Sequence, residues 1–498
     1  MPSYYPIIYV RGYAGTQSDV EETVDDPTYG FNAGSTHIRF GEDGKADMFM
    51  FVSPFARLFR DHGYSDVIDG ATQRVPPGSP SPQKTIWIYR YYDPTSNTFD
   101  RPGGRRLSIE EAARGLRDLI TQVLTETKAT KVYLVAHSMG GLVCRSLIQK
   151  IYPENNEQAS TFIDKLFTYG TPHGGIHFDV VGGKLLEKLR DAAGVNDSNN
   201  FGSQRMYEFL NKGQVGNAPN DFEPRLIPKD LFSSERVFCI VGTNAADYAV
   251  AAGLSRSVVG PQSDGLVQME SAYVREAPRA YIHRSHSGRY GMVNSEEGYQ
   301  NLQRFLFGDV RIKAVLCDFT LDFDAPKDTQ ITYLFETQVA VRGMPILMHE
   351  RTLRNYSAES LNRIQYEDQM SRGGLPLFTN FLRSSLIHPD GTMRYMIRLA
   401  VFRQTFRNGL LVFGDHLERL PLWSDYLVVA LKPKESQGRV SYDGFYNWAS
   451  IDAEPKVPMP PGSQSGGITT VSVQIPQGKA LDLFGADAKV TFAASQWN

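Results

Sequence analysis

Between residues 7 and 308, short apolar runs alternate with longer stretches whose apolar positions recur every three to four residues. The short runs are Ile7–Val10, Thr85–Tyr92, Val132–Ala136, Asp164–Thr168, Arg236–Val241 and Ala280–Ile282. Continuous apolar, β-rich runs of this length predict strands buried on both faces. The longer stretches predict helices with readable ends. Ser53 caps a helix with Pro54 at its first position. Ser108 opens another that runs to about Thr127, with Glu111 three residues on completing a capping box. Gly141–Ile148 reads as a buried helix. Ser295 caps a closing helix whose buried stripe is Leu302, Phe305 and Leu306 and whose stop is Gly308. Strand and helix in alternation predict an α/β, doubly wound, mostly parallel sheet with helices on both faces.

Two segments depart from this rhythm. Residues 16–50 are polar, glycine-rich and acidic (Asp19, Glu21, Glu22, Asp25, Asp26), and read as a long solvated loop rather than a metal site. Residues 176–235 carry Leu185, Leu186 and Leu189 on one helical face and Met206, Phe209 and Leu210 on another, between glycine, asparagine and proline breaks. From Val310 the period changes to two. Ala314–Phe323, Ile331–Val341, Met393–Phe402, Tyr426–Leu431, Thr470–Ile475 and Lys489–Ala493 alternate apolar with polar, which predicts an antiparallel β-sandwich. The expected boundaries are 1–309 and 310–498. Asp322, Asp324 and Asp328 do not reproduce a calcium loop and read as a solvated strand end.

Composition narrows the choice. A chain of 498 residues exceeds one ordinary core, which agrees with two domains. Its 41% hydrophobic and 21% charged content describes a soluble globular protein, and a net charge of −3 gives no reason to expect nucleic acid. No apolar run has the length of a transmembrane span. The N-terminal MPSYYPIIYVRGYAG lacks the layout of a signal peptide, so a cytoplasmic location is expected, with secretion by another route left open. Cys144, Cys239 and Cys317 are odd in number and far apart, and read as thiols in a reducing compartment rather than disulfides or metal ligands.

The chemistry centres on Lys131–Arg145, KVYLVAHSMGGLVCR. Strand and buried helix leave room for only one tight turn between them, and Ser138 sits on it. A serine there has its Oγ lifted off the sheet, and its neighbours must be small because the two backbones nearly touch. Ala136, Gly140 and Gly141 supply that smallness. Over residues 5–308 the chain resembles the α/β-hydrolase superfamily, in its lipase/esterase branch. The usual G-x-S-x-G appears as Ala136-His137-Ser138-Met139-Gly140, with an alanine shared by some bacterial lipases. Gly170-Thr171-Pro172-His173-Gly174-Gly175 is a second lipase hallmark.

That resemblance implies the remaining roles. The backbone N–H groups of Tyr13 and Met139 would form the oxyanion hole, although Arg11 stands where the family often has histidine. Chain order places the acid at Asp264, in Ser263-Asp264-Gly265-Leu266-Val267, ahead of the runner-up Asp247. It places the base at His286 on the loop after the last strand, ahead of His283 and His173. The insertion at about 176–235 would be a helical cap over the site. The implied activity is cleavage of carboxylic esters, of lipids or smaller alcohols, through an acyl-serine and without metal or cofactor. Acyl transfer or amide cleavage with the same three residues is the alternative. A non-catalytic binding protein is opposed by the intact Ser/Asp/His set. The C-terminal domain is open to bracing, self-association or contact with a membrane or substrate surface.

Overall fold

The computed structural model describes residues 4–12, 17–40, 45–69, 72–96, 107–175, 202–213, 216–247, 260–341, 346–383, 391–407, 410–411, 420–436, 439–449, 455–476 and 478–497. The chain divides into two compact units: Ser3–Arg279 with His283–Leu302, and Gln303–Asn498 with Met1–Pro2 and Ala280–Ile282.

The predicted alternation forms one seven-stranded sheet. Its strands are β1 (Ile7–Val10), β4 (Ser65–Asp66), β5 (Thr85–Tyr89), β6 (Val132–His137), β7 (Ile163–Tyr169), β8 (Val237–Gly242) and β9 (Arg279–Ile282), and β2 (Ser35–Phe40) and β3 (Ala46–Phe51) form a separate hairpin. The sheet order is β9-β8-β7-β6-β1-β5-β4, with every pairing from β8 to β4 parallel. All four residues of β1 and all five of β5 are buried, as their unbroken apolar composition requires. This is the α/β-hydrolase architecture.

The helix signals hold at their ends. In α2 (Pro54–His62) the Ser53 Oγ accepts from the Ala56 N–H, and Gly63 closes the helix at φ 68°. In α3 (Ile109–Thr127) the Ser108 and Glu111 side chains complete the capping box. Met139–Ser146 is α4, continued by a π turn at Leu147–Ile151; Ser203–Leu210 is α5; Glu296–Phe307 is α6, whose first turn is capped by Ser295. Leu302, Phe305 and Leu306 are buried.

Residues 16–50 differ from the expected loop. Gln17–Asp25 is a helix, α1, and the β2–β3 hairpin follows. The helix is fixed by tertiary contacts rather than by its own pattern: Val20 and Thr23 are buried, and the Arg90 guanidinium donates to the carbonyls of Val24, Asp26 and Pro27.

The C-terminal unit is an antiparallel sandwich. A five-stranded sheet is built on Val310–Cys317, Leu375–Leu382, Ile468–Gln474 and Lys489–Gln496, and an eight-stranded sheet on Thr329–Val341, Met393–Arg407, Trp423–Ser436 and Arg439–Trp448. Leu316, Leu377, Val473 and Val490 of the first share one core with Phe335, Ile397 and Leu427 of the second. A helix at Arg363–Ser371 is opened by the reciprocal Asn362–Gln365 box. Asp324 donates its N–H to the Asp322 carboxylate and pairs with exposed Arg363, the arrangement of a solvated turn.

Candidate active site

Strand β6 runs between β1 and β7, with Ala136 in register with Val10 on one side and Thr168 on the other. The turn that follows β6 is therefore flanked by the chain leaving β1 and the chain leaving β7. At this edge the sheet order reverses, and the ends of α/β strands form a crevice. Ser138 occupies the turn at φ 53°, ψ −129°, outside the broad regions open to ordinary residues. Its N–H donates to Tyr169 O, and its carbonyl accepts from the Thr171 hydroxyl at 2.8 Å and the Gly141 N–H at 3.0 Å.

The small residues are required sterically. A Cβ on Gly140 would lie 2.3 Å from Val10 O, and one on Gly141 would lie 2.1 Å from Thr171 Oγ1. The start of α4 thus runs directly against the ends of β1 and β7. Met139 is the first residue of that helix, where backbone N–H groups have no intrahelical acceptor. Tyr13 lies outside the described residues.

Ser138, His286 and Asp264 come together from three distant parts of the chain. His286 Nδ1–H donates to Asp264 Oδ2 at 2.8 Å, which leaves Nε2 bare to accept from Ser138 Oγ–H at 3.0 Å. Asp264 is 1% and His286 3% exposed, so the pair is shielded from water. The other oxygen of Asp264 accepts from the N–H groups of Leu266 (3.0 Å) and Val267 (2.7 Å), and its backbone carbonyl accepts from the N–H of His286. One residue therefore shapes its own turn and holds His286 twice, by its imidazole and by its backbone N–H. Ser138 is 6% exposed.

Glycines at two strand ends make room for the acid and the imidazole. A Cβ on Gly170 (φ 51°) would lie 2.8 Å from Asp264 Oδ2 and 3.1 Å from His286 Nδ1. One on Gly242 would lie 2.7 Å from Asp264 Cβ. The loop bearing His286 is held by a buried fork in which Arg284 donates to both oxygens of Glu297.

The runners-up sit elsewhere. His283 is exposed, with Nδ1 at 3.2 Å from the Thr243 hydroxyl. Asp247 is exposed and accepts from Asn244 in a local turn. His173 is wholly buried, its Nε2 between Thr168 Oγ1 and Cys239 Sγ, and burial pushes its pKa well below the ordinary histidine value.

Three supporting residues escaped the sequence reading. His137 packs its ring on His286 and donates from Nε2–H to that residue's carbonyl; its place beside Ser138 was the only clue. Arg145 is fully buried. Its guanidinium donates to Gln149 and to the carbonyls of His173, Pro224 and Leu226, and burial pushes its pKa down to about 9. Lys150 donates to the carbonyls of Glu208, Asn211 and Gly213.

The described part of the 176–235 insertion is anchored by these groups. Met206, Phe209 and Leu210 of α5 are buried, α5 packs on α4 and its π turn, and Arg205 forks onto Glu110 at the start of α3. Leu185, Leu186 and Leu189 lie outside the described residues.

Residues 104–201 match the family described as "Putative serine esterase (DUF676)". No curated protein matches the chain in sequence. Among solved structures, the Bacillus licheniformis lipase BlEst2 is 13% identical at a TM-score of 0.34, over 62% of this chain and 94% of its own. Phospholipase PlaB from Legionella pneumophila is 12% identical at 0.32, over 82% of this chain and 91% of its own. Aspergillus fumigatus lipase B is 13% identical at 0.26, over 56% and 44%. The strand order and the turn at Ser138, rather than these likenesses, carry the α/β-hydrolase fold. The family match spans Ser138, and the chain carries a serine-hydrolase domain.

Proposed function

We propose that this serine hydrolase cleaves carboxylic esters, with Ser138 as nucleophile, His286 as general base and then acid, and Asp264 as the carboxylate that fixes the imidazole. The observation that carries the reading is the unbroken hydrogen-bonded line from Asp264 through His286 to a serine held at positive φ. As Oγ attacks the ester carbonyl, Nε2 takes its proton, and the buried carboxylate stabilises the imidazolium that forms. The negative charge that develops on the carbonyl oxygen is met by the N–H of Met139 at the head of α4 and that of Tyr13. His286 then protonates the departing alcohol. In the second half it activates water, which releases the acid from the acyl-serine.

The test is a panel of p-nitrophenyl and glyceride esters of graded acyl length, given to the wild type and to Ser138→Ala together. Turnover by the wild type, lost in the variant along with labelling by a fluorophosphonate probe, is the expected result. Equal turnover by both proteins would overturn the assignment. Adding competing alcohols in the same panel separates hydrolysis from acyl transfer.

A further inference from the structure

The two peptide groups that flank the Ser138 Cα are both held from one short strip at the end of β7. The Ser138 N–H donates to Tyr169 O at 2.8 Å, and the Thr171 hydroxyl donates to Ser138 O, also at 2.8 Å. Between these two partners Gly170 turns the chain at φ 51°, and its own N–H is tied to Ile240 O in β8. Thr171 is fully buried. Its hydroxyl reaches the Ser138 carbonyl past Gly141, and the three atoms that a Cβ there would meet first, at 2.1 to 2.8 Å, all belong to Thr171. The strip is anchored in turn by the helix that Ser138 opens. The Thr171 carbonyl accepts from the His173 N–H, and the His173 carbonyl accepts from Arg145 of α4 at 3.2 Å. Ser138 and Arg145 thus meet the same strip from opposite ends of α4.

Resting on the ester-hydrolase reading above, we propose that Thr171 is a positioning residue, whose hydroxyl fixes the peptide after Ser138 and so aims Oγ at His286 Nε2. A peptide group is a rigid plane. When the planes on both sides of a Cα are held, tetrahedral geometry sets the Cα–Cβ direction and leaves one torsion to place Oγ. Holding is needed here because Ser138 sits at φ 53°, ψ −129°, a conformation that persists only where its surroundings over-determine it. The Tyr169 carbonyl holds one plane with a backbone group that any sequence supplies. The other plane depends on a side chain. A valine of the same shape would leave the Ser138 carbonyl to N–H groups of its own helix, such as that of Gly141 at 3.0 Å, which move with Ser138.

The experiment compares wild type with Thr171→Val, Thr171→Ser and Thr171→Ala in ester hydrolysis, in the rate of inactivation by a fluorophosphonate and in thermal melting. Inactivation reads the aim of Oγ directly, because the serine oxygen displaces fluoride from phosphorus with no ester substrate present. In Thr171→Val, kcat should fall about tenfold to a hundredfold, the scale of a misplaced reacting group. KM should stay within about twofold, and the inactivation rate should fall with kcat. Thr171→Ser carries the same O–H donor, so its kcat should stay within about threefold of wild type. The pH at which kcat/KM is half-maximal, set by His286, should not move in any of the variants. A role in packing alone predicts the opposite order, since valine preserves the shape and serine removes a methyl group. Thr171→Ser and Thr171→Ala differ by the hydroxyl alone, so this pair repeats the comparison if the valine variant fails to fold.

A Thr171→Val kcat within about twofold of wild type overturns the proposal, as does a loss in Thr171→Ser equal to that in Thr171→Val. A fall in kcat with the inactivation rate unchanged overturns it too, and so does a shifted pH midpoint, which would move the effect to the imidazole. A wild type inert to every ester and to fluorophosphonate would overturn the hydrolase reading with it, whereas an active wild type matched by Thr171→Val overturns only the role of the threonine.

Discussion

His137 Nε2–H donates to the backbone carbonyl of His286 at 2.9 Å, with the two rings 4.8 Å apart. The residue before Ser138 thus holds the main chain of the residue whose imidazole faces Ser138. Burial, and then the neighbouring His286, push the His137 pKa well below the ordinary value, so it stays neutral and does not oppose a positive charge on its partner. His137→Phe keeps a ring and loses the donor. Displacing the base in this way should lower kcat about tenfold to a hundredfold. His137→Gln, which retains an N–H, should recover part of that loss in the same assay.

Asp264→Asn separates the two jobs of this side chain. An amide can keep its oxygen on the Leu266 and Val267 N–H groups and so preserve the turn. It then presents NH2 to Nδ1 and favours the wrong tautomer of His286. A loss of about 10⁴-fold in kcat is expected, with a melting temperature close to that of wild type. Retained turnover would assign the acid's role to another residue.

Gly170 and Gly63 form a matched pair. Both hold positive φ, at 51° and 68°, so alanine strains the backbone at either site, by about 1–2 kcal/mol. Only at Gly170 does the added methyl press on Asp264 and His286; at Gly63 there is nothing within 4 Å. Gly170→Ala should lose at least tenfold in kcat, a scale set by misplacement of catalytic groups. Gly63→Ala should lose stability alone. Chemical denaturation and steady-state kinetics on the two variants check this.

Stability should depend on pH through the buried imidazoles. His137 and His173 remain neutral in the folded chain to well below 6.5, whereas the unfolded chain takes up protons near that value. The unfolded state therefore binds more protons as the pH drops, and the folded state loses ground below about 6.5 and is unaffected by these groups above it. Each histidine contributes a slope of up to about 1.4 kcal/mol per pH unit. Unfolding free energies measured from pH 7 to 5 should fall, and the slope should lessen by one proton in His173→Gln.

The sequence made the local chemistry legible and left the cross-chain bracing hidden. Buried strands read correctly because strands covered on both faces need unbroken apolar runs, and caps read correctly because Ser53, Ser108 and Ser295 act within three residues of themselves. The turn around Ser138 was legible because a strand and a helix joined by so few residues need small side chains there, although the atoms that Gly140 and Gly141 clear, Val10 O and Thr171 Oγ1, lie far along the chain. Helix α1 was not, because Val20 and Thr23 are buried although its sequence is mostly polar, and Arg90, far along the chain, donates to the carbonyls at its end. Arg145 and Lys150 bond to backbone carbonyls, which every residue carries, so no pairing of side-chain types announced them.

Arg145 and Lys150 have one more consequence, for engineering. Together they supply donors to the carbonyls of Glu208, Asn211, Gly213, Pro224 and Leu226, while Glu110 receives Arg205. The segment inserted between β7 and β8 is therefore not a portable module. Transplanted onto a related scaffold without the donors of α4 and its π turn, it would bring a set of carbonyl acceptors without the side chains that hold them. A successful chimera would have to inherit both ends of the arrangement at once.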